Sequence, residues 1–256
     1  MISGRRDLPN DGRVFAASRD DRRPRSTGSP DRVLVLRRTQ LFSSLTDTEL
    51  SVLGDELLEL DYAKGEVVHR QGDAADRVFL IGEGYVKQTV ASSGGAGLIV
   101  EIAGPGGVFG QLAAISRRPQ GSSARTLSPC KVFALGAPIV RALAARRPAF
   151  AIRLLELAAE QVWAAHRNSQ ELVSLDAEAR LARRLLALVQ SHPMRGGRPE
   201  LGLDVQLSQE DLAQMIGVTR SSANRLLASF GERGWLNWNQ GRPRLLDLGA
   251  LSQLAN

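Results

Sequence analysis

The apolar positions of residues 39–62 follow a helical pattern. Leucines recur there at steps of three, four and five residues: Leu45, Leu50, Leu53, Leu57 and Leu60. This recurrence is typical of one buried face of an α-helix. Thr46 precedes Glu49 by three residues, which is the signature of a capping box. The pattern therefore predicts a helix that begins just after Thr46.

Between residues 65 and 136, short apolar runs alternate with glycine-containing turns. The runs are EVVHR, RVFLI, YVKQTV, LIVEI and KVFAL. Many short strands spaced about ten residues apart are typical of an antiparallel sandwich or jelly roll. The sequence therefore predicts a β domain in this part of the chain.

A long helix is predicted after Pro148, because apolar and small residues then recur in steps of three and four. The recurring positions are Leu155, Ala159, Val162, His166, Ser169 and Val173. They match the heptad seam of a two-stranded coiled coil, which favours a homodimer. The alternative is a single amphipathic helix lying on its own domain. A second helix follows Asp176, with the predicted apolar face Leu181, Leu185, Leu188 and Val189.

The stretch LSQEDLAQMIGVTRSSANRLLASFGERGWL, residues 207–236, predicts two helices joined by a tight turn. Ser208 and Asp211 have the spacing of a capping box at the start of the first helix. Gly217 supplies a left-handed residue that ends this helix, and Thr219 caps the second. The positions expected to be buried are Leu212, Ala213, Ile216, Ala223, Leu226, Leu227 and Phe230.

The opposite face of the second helix carries polar groups suited to DNA bases. Its residues are Arg220, Ser221, Asn224 and Arg225, which neighbour one another at helical spacing. Arginine can donate two hydrogen bonds to guanine, and asparagine can bind adenine in the same way. Two short helices joined by a glycine-containing turn are what a major-groove reader requires. The alternative is an ordinary αα-corner with solvated arginines.

Beyond the second helix, WLNWNQGRPRLLDL predicts a hairpin, because apolar runs flank the turn residues Asn239, Gln240 and Gly241. Arg242 and Arg244 would then lie beside the turn, as in the wing of a winged helix that touches phosphates. The full set of predicted DNA contacts is Gln209, Thr219, Arg220, Ser221, Asn224, Arg225, Arg242 and Arg244.

Composition adds limits rather than a new function. The chain has 256 residues, of which 43% are hydrophobic. It contains no apolar run of the roughly 18 residues that a membrane span needs, and no secretory h-region. Its single cysteine, Cys130, excludes a disulfide framework and a cysteine-ligated iron–sulfur cluster. We therefore expect a cytoplasmic globular protein without a membrane partner.

Positive charge is concentrated in residues 1–38. Their ten arginines and five aspartates give a net charge of +5, out of +6 for the whole chain. The segment is rich in serine, proline and glycine and lacks apolar periodicity, so we predict a disordered basic tail. Such a tail could touch DNA phosphates. The alternative is a solvated appendage without a role.

Residues 39–256 as a whole resemble the Crp–Fnr family of bacterial transcription regulators. The resemblance rests on GDAADRVFLIGEGYVK, GGVFGQLAAI, the long helix and LSQEDLAQMIGVTRSSANRLL, which occur in the family's order and spacing. It implies an α+β fold with an N-terminal cyclic-nucleotide-binding-type β jelly roll, a long dimerisation helix and a C-terminal winged helix-turn-helix.

The resemblance also implies boundaries and partners. The expected segments are the basic tail 1–38, the cyclic-nucleotide-binding-like sensory domain 39–147, the dimerisation helix 148–175 and the DNA-binding domain 176–256. The implied partners are double-stranded DNA with an inverted repeat, a second copy of the chain, RNA polymerase and an unidentified small-molecule effector.

Two arginines of the predicted reader match the cyclic-AMP receptor type of the family. Arg220, Ser221 and Arg225 fall on the family's base-reading positions. Ser221 stands where that type has a glutamate that contacts cytosine. The operator therefore need not be the same as that of the cyclic-AMP receptor type.

The glycine-rich loop GGVFGQLAAISRRPQGSSAR, residues 106–125, resembles a phosphate-holding loop without its charged residues. Cyclic-AMP binders of the family carry a glutamate, an arginine and a serine where this chain has Gln111, Gln120 and Gly121. A neutral amide binds a phosphate less strongly than an arginine does. We therefore expect either an effector other than cyclic AMP bound in the family's usual way, or no effector.

The candidate effector pocket extends from this loop to the long helix. On that helix the family's adenine-contacting threonine–serine pair is replaced by Ala165 and His166. The predicted pocket residues are Gly110, Gln111, Gln120, Gly121, Ser122, Arg125, Ala165 and His166. In one alternative Arg125 serves a differently placed anion, and in the other the pocket is vestigial and has collapsed around apolar side chains.

An enzyme and a protein–protein scaffold are the competing classes of function. The sequence contains no Walker-type loop, no paired metal-ligand spacing and no G-x-G-x-x-G fingerprint. Its three histidines lack the partners of a catalytic constellation. We therefore predict no enzyme activity, no metal site and no cofactor. His166 is expected to be a packed seam residue, with a haem ligand as the alternative. In the scaffold alternative, the winged helix docks a protein.

Overall fold

A helix-flanked β sandwich is followed by a long helix and a mostly helical C-terminal domain. The computed structural model describes residues 30–91, 97–191, 201–202, 205–239 and 241–255. The helices within them are α1 (Pro30–Arg38), α2 (Asp47–Asp55), α3 (Gln111–Ser116), α4 (Ala137–Arg146), α5 (Pro148–Ser174), α6 (Ala177–Ser191), α7 (Gln209–Ile216), α8 (Arg220–Glu232) and α9 (Leu248–Leu254). The strands are β1 (Leu58–Tyr62), β2 (Val67–His69), β3 (Arg77–Glu83), β4 (Val86–Val90), β5 (Leu98–Ala103), β6 (Val108–Phe109), β7 (Ser123–Thr126), β8 (Cys130–Gly136), β9 (Leu201–Gly202), β10 (Leu236–Asn239) and β11 (Arg242–Leu245).

The first eight strands form two antiparallel sheets, ordered β1-β8-β3-β6 and β2-β7-β4-β5. Strand β3 shows how the first sheet is buried on both sides. Val78 and Leu80 pack against the flanking helices, whereas Phe79 and Ile81 belong to the core between the sheets. This alternation follows from the two-residue period of a strand. The five predicted apolar runs lie on β2, β3, β4, β5 and β8, and the predicted jelly-roll class is confirmed.

The leucine pattern at the start of the sandwich belongs to two different elements. α2 begins after Thr46 with the predicted capping box, in which Glu49 is the third helical residue. The helix nevertheless ends at Asp55, and Leu60 lies on β1. The prediction of one helix through Leu60 was wrong, because Leu58, Leu60 and Tyr62 also satisfy the two-residue period of a strand.

Helix α1 corrects the prediction that residues 1–38 are a disordered tail. Val35 and Leu36 are 3% and 0% exposed and pack into the core cluster beneath the first sheet. Asp31 in the first turn and Arg37 and Arg38 in the last turn suit the helix dipole. The overall basic composition of the segment concealed this short apolar stripe. Residues 1–29 of the predicted tail lie outside the described residues.

The long helix and its successor form as predicted. α5 spans 27 residues from Pro148, and its first turns bury Phe150 and Leu154 against the helical layer of the sandwich. The predicted apolar face of α6 is buried at all four positions: Leu181, Leu185, Leu188 and Val189. Helix α4, which the sequence analysis did not predict, connects β8 to α5.

The C-terminal domain packs on the outer face of the second sheet. One apolar cluster joins Ile99 of β5 and Leu127 to residues of α6, α7, α8 and the β9–β11 sheet. At its edge, Lys87 Nζ of β4 lies 2.5 Å from Asp211 Oδ1 of α7, and the two side chains are only 12% and 8% exposed. Lys87 also donates to Gln214 Oε1 at 3.2 Å. This ion pair links the sandwich to the C-terminal domain.

The environment of Asp211 favours its charged form. Burial pushes the pKa of the carboxyl upward, but hydrogen bonds from Lys87 and Ser208 outweigh it and hold the pKa below its ordinary value. The carboxylate is therefore maintained in a largely buried place by partners from two parts of the chain.

We expect Lys87→Met to lower the free energy of unfolding by about 2–4 kcal/mol, because Asp211 then stays buried without its cation. Urea denaturation followed by tryptophan fluorescence measures the loss. The matched control is Lys64→Met, since Lys64 makes an exposed hydrogen bond to Gln206 in the same domain contact. The control should change stability by no more than about 0.5 kcal/mol. Equal losses for the two variants would show that the buried pair has no special weight.

Candidate DNA reader and effector cavity

Two capped helices form the predicted turn in the C-terminal domain. The carboxylate of Asp211 accepts from the Ser208 backbone N–H at 2.8 Å, and Ser208 Oγ accepts from the Asp211 N–H at 3.0 Å. Gly217 ends α7 with φ 67° and ψ 42°, a left-handed conformation that glycine adopts without strain. Thr219 Oγ1 then accepts from the Ser222 N–H at 3.2 Å and caps α8. The predicted helix-turn-helix is therefore present.

The core-facing side of the two helices agrees with the predicted pattern except at one position. The buried residues are Leu212, Ala213, Ile216, Ala223, Leu227 and Phe230. Leu226 was predicted to be buried with them but is only partly buried. It lies at the edge of the apolar stripe, since it is separated from Ala223 and Leu227 by about 60° and 100° around the helix.

The first two turns of α8 present a polar face to solvent. The exposed members of the predicted set on the two helices are Thr219, Arg220, Ser221 and Arg225. Arg225 Nη2 donates to Ser222 Oγ at 3.3 Å. Asn224 is only partly exposed, and its Oδ1 is buried without a hydrogen-bond partner. Gln209, at the start of α7, is also partly buried. The structure therefore brings three of the four predicted base-reading side chains together on an open face.

The predicted hairpin follows α8. β10 pairs antiparallel with β11, and Asn239 lies opposite Arg242. Asn239 is therefore the last strand residue rather than part of the turn, Gln240 lies outside the described residues, and Gly241 has φ 78°. Arg242 and Arg244 are exposed and alternate with buried apolar residues of β11. They share one face of the hairpin, as a phosphate-contacting wing requires.

The predicted seam of α5 faces solvent in this single chain. All six seam residues are exposed: Leu155, Ala159, Val162, His166, Ser169 and Val173. Val162 and Val173 are 51% and 89% exposed. Ile152, three residues before Leu155, continues the heptad spacing although the predicted seam did not include it, and it is 58% exposed. Trp163 lies beside Val162 outside the heptad, is 64% exposed and widens the same apolar face. A broader stripe of helical period 3.6 would have included Trp163.

A cavity of about 1010 Å³ lies between the second sheet, the loop before α3 and the helix α5. Six of the eight predicted pocket residues line it: Gly110, Gln111, Gln120, Gly121, Ser122 and Ala165. The cavity is open, so the alternative of a pocket collapsed around apolar side chains does not describe this structure.

The other two predicted pocket residues lie elsewhere. Arg125 is exposed on β7, and its Nη1 donates to the Gly65 backbone oxygen at 2.6 Å. It is one strand position from buried Ala124, so its side chain points to the opposite face of the sheet. His166 is exposed, with its ring edge-on to Trp163 at a centroid distance of 6.0 Å. The assignments of Arg125 and His166 to the pocket therefore do not fit the geometry.

The two glutamines that replace charged residues are both buried. Gln111 is 2% exposed and Gln120 is 5% exposed. Backbone hydrogen bonds at 2.8 Å, from Gln120 N to Asp73 O and from Gly72 N to Gln120 O, hold Gln120 in place. These contacts fix the backbone from which the neutral amide of Gln120 extends.

A chain of polar side chains on the cavity wall was missed by the sequence analysis. Ser122 Oγ donates to Gln88 Oε1 at 3.1 Å, and Gln88 Nε2 donates to Glu101 Oε2 at 2.5 Å. Gln161 Nε2 of α5 donates to the same Glu101 oxygen at 3.5 Å. Burial raises the pKa of Glu101, and the two amide donors oppose this shift. The available signal was Glu101, the one polar residue of the run LIVEI, whereas Gln88 lies between two other polar residues in YVKQTV and does not stand out.

Charged side chains are few on the described walls of the cavity. The cationic ones are Arg38 and Arg167, and the anionic ones are Glu101 and Glu160. Arg38, Arg167 and Glu160 are exposed, whereas Glu101 is partly buried. Elsewhere in the described residues, no group of three histidine, cysteine, aspartate or glutamate side chains is arranged to hold a metal ion. None of the described helices is long and apolar enough to cross a membrane.

Comparisons with protein families match both parts of the chain. Residues 59–147 match the cyclic nucleotide-binding domain, and residues 179–254 match the Crp-like helix-turn-helix domain. The first match covers the sandwich and α4, and the second covers most of α6 together with the capped helices and the hairpin.

The matches to individual relatives cover nearly the whole length of each relative. The CRP-like cAMP-activated global transcriptional regulator of Mycobacterium tuberculosis is 29% identical over 202 residues, which cover 79% of this chain and 90% of the relative. The cyclic AMP receptor protein of Thermus thermophilus is 24% identical, covering 86% of this chain and 98% of the relative. The solved structure of FixK2 from Bradyrhizobium japonicum shares the fold, with a TM-score of 0.70 and 21% identity over 78% of this chain and 98% of that one.

We expect Gly110→Ala to lower the free energy of unfolding by about 1–2 kcal/mol, because Gly110 has φ 80°. An added Cβ would also meet Arg77 O at 3.2 Å and Gln120 Nε2 at 3.3 Å. The control is Gly121→Ala in the same cavity wall, where an added Cβ meets nothing within 4 Å. Urea denaturation should show little change for the control, and a Gly110→Ala variant as stable as Gly121→Ala would contradict the prediction.

Proposed function

Since the chain belongs to the Crp–Fnr family of DNA-binding transcription regulators, we propose that it acts as a homodimer on an inverted-repeat operator. Its cavity takes an effector other than cyclic AMP held in the family's usual way. The observation that carries the proposal is the exposed polar face of α8, which begins directly after a capped tight turn. The family is one of transcription regulators rather than enzymes.

The face of α8 has the chemistry of a base reader. Arg220 and Arg225 each offer a planar fork of donors, which can bind the O6 and N7 atoms of guanine in the major groove. Ser221, between them, offers a small hydroxyl where the cyclic-AMP receptor type has a glutamate. We therefore assign a distinct operator sequence to this chain. Gln209, Thr219, Arg242 and Arg244 are assigned to backbone phosphates, which position a reader without selecting its sequence.

The exposed face of α5 supports a parallel pair of helices. Val162, Trp163 and Val173 leave apolar surface in water in the single chain, and a second α5 would cover it. A two-fold dimer places its two readers about 34 Å apart, which is one turn of DNA. We accordingly assign sensing to residues 39–147, dimerisation to 148–175 and DNA reading to 176–256, with RNA polymerase as the partner on the promoter. A regulator of this kind acts in the cytoplasm, where its operator lies.

The buried amides of the cavity support an effector other than cyclic AMP. A cyclic phosphate carries a full negative charge, and removing that charge from water is costly without a cation or several donors. Gln120 offers a neutral amide and Gly121 offers no side chain. The relative from M. tuberculosis is called cAMP-activated. In the present chain the neutral residues Gln111, Gln120 and Gly121 instead favour a ligand of different charge.

We expect Arg225→Ala to weaken binding to the operator by about 1–3 kcal/mol and to relax the preference at one base pair. The control is Arg242→Ala on the hairpin, which should weaken specific and random DNA alike because it contacts phosphate. Fluorescence anisotropy with both DNAs, at several salt concentrations, separates the two effects. If Arg225→Ala lowers the affinity for random and specific DNA equally, its assignment to base reading is wrong.

We expect the wild-type chain to be a dimer and Val162→Glu to be mainly monomeric at micromolar concentration. Two glutamates at the seam would bring like charges together in an environment of low dielectric constant. Ser174→Glu is the control, because Ser174 is exposed at the end of α5 outside the seam. Light scattering measures the molar mass. A monomeric wild type, or an undisturbed Val162→Glu dimer, would overturn the seam assignment.

A further inference from the structure

The hydrogen bonds between polar side chains on the cavity wall all run from donor to acceptor toward Glu101. Ser122 donates to the oxygen of Gln88, and the nitrogen of Gln88 donates to Glu101. Gln161 approaches the same carboxylate oxygen from α5. This series of hydrogen bonds starts at the Ser122 hydroxyl and ends on the Glu101 carboxylate. Because the carboxylate accepts, the Gln88 amide must turn its nitrogen toward Glu101 and its oxygen toward Ser122.

This direction decides what the wall offers to a ligand. A serine hydroxyl has one proton, and Ser122 directs it to Gln88, so its oxygen is left with acceptor lone pairs. Gln88 and Gln161 both donate to Glu101 Oε2. An ionised carboxylate only accepts, so the other oxygen, Oε1, can accept from a ligand. The wall consequently favours a ligand that brings its own N–H or O–H donors.

The same wall opposes an anion. A phosphate near Glu101 would meet a partly buried like charge, which is unfavourable in a poorly solvated place. The cations Arg38 and Arg167 are exposed, so solvent and salt screen them. The cavity therefore differs from a phosphate site in two ways: its wall carries the negative charge of Glu101, and a neutral glutamine stands at position 120.

We propose that the cavity takes an uncharged nucleoside in place of a cyclic nucleotide, with donors of the ligand meeting Ser122 and Glu101. This inference rests on the proposed function, in which the cavity holds an effector. Replacing a 3′,5′-cyclic phosphate by two free hydroxyls removes the negative charge and adds two O–H donors. Gln111 and Gln120 can accept from such hydroxyls through their amide oxygens. The volume of about 1010 Å³ accommodates a base and a ribose.

Calorimetric titration of the full-length protein tests this assignment with adenosine, guanosine and their 3′,5′-cyclic monophosphates. At least one nucleoside should bind at least about tenfold more tightly than its own cyclic monophosphate, a difference of about 1.4 kcal/mol. Failure of both nucleosides to bind overturns the proposal. Binding of a cyclic monophosphate as tightly as its nucleoside overturns it as well.

Glu101→Gln tests the residue that determines the preference. It keeps the side-chain shape but removes the charge, so the ratio of nucleoside to cyclic monophosphate affinity should fall about tenfold. Glu160→Gln, which removes an exposed charge from the same cavity, should keep the ratio within about twofold. An unchanged ratio in Glu101→Gln excludes Glu101 as the determinant.

Operator binding by each variant separates the two levels of the proposal. A chain that binds its operator but neither nucleoside overturns only the ligand assignment. A chain that binds no DNA sequence preferentially overturns the proposed function itself.

Discussion

The rest of the structure depends on the sheet that contains β4 and β5, because one face of these strands lines the cavity and the other face supports the domain that carries the DNA reader. Lys87 lies opposite Ile102, and both pack toward the C-terminal domain. The next pair, Gln88 and Glu101, lies on the other face and lines the cavity. Because successive side chains of a strand point to opposite faces, only one backbone layer separates the cavity from the C-terminal domain. The cavity wall and the surface against which the C-terminal domain packs are therefore two faces of the same strands.

Asp211 connects helix α7 to this surface of the sheet. Its carboxylate completes the capping box of α7 and also binds Lys87, so one side chain serves local structure and domain contact together. Gly217, which ends the same helix, faces Leu172 of α5, since a Cβ added there would lie 3.2 Å from Leu172 Cδ2. The turn before α8 is thus held between the sheet and the long helix. Arg220 and Arg225 lie on the helix that follows this turn.

The accuracy of the sequence predictions depended on how far apart the interacting residues lie along the chain. Both capping boxes were predicted, because each joins residues only three apart and has a defined chemical pattern. The pair of Lys87 with Asp211 spans 124 residues and carries no local signal. Arg125 was misplaced because a shift of one strand position reverses the direction of a side chain. Periodicity therefore located the elements, whereas the cavity's charge pattern required the register of β4 against β5.

One side of helix α5 lines the cavity, and another side carries the predicted seam. Gln161 contacts Glu101 in the cavity, while its neighbour Val162 lies on the exposed seam. Adjacent helical residues differ by about 100° in direction, so the side of α5 that lines the cavity and the side that carries the predicted seam are distinct. Gln161, which lines the cavity, therefore lies on the same helix as the predicted seam, and one sheet and one helix connect the cavity wall to that seam and to the C-terminal domain.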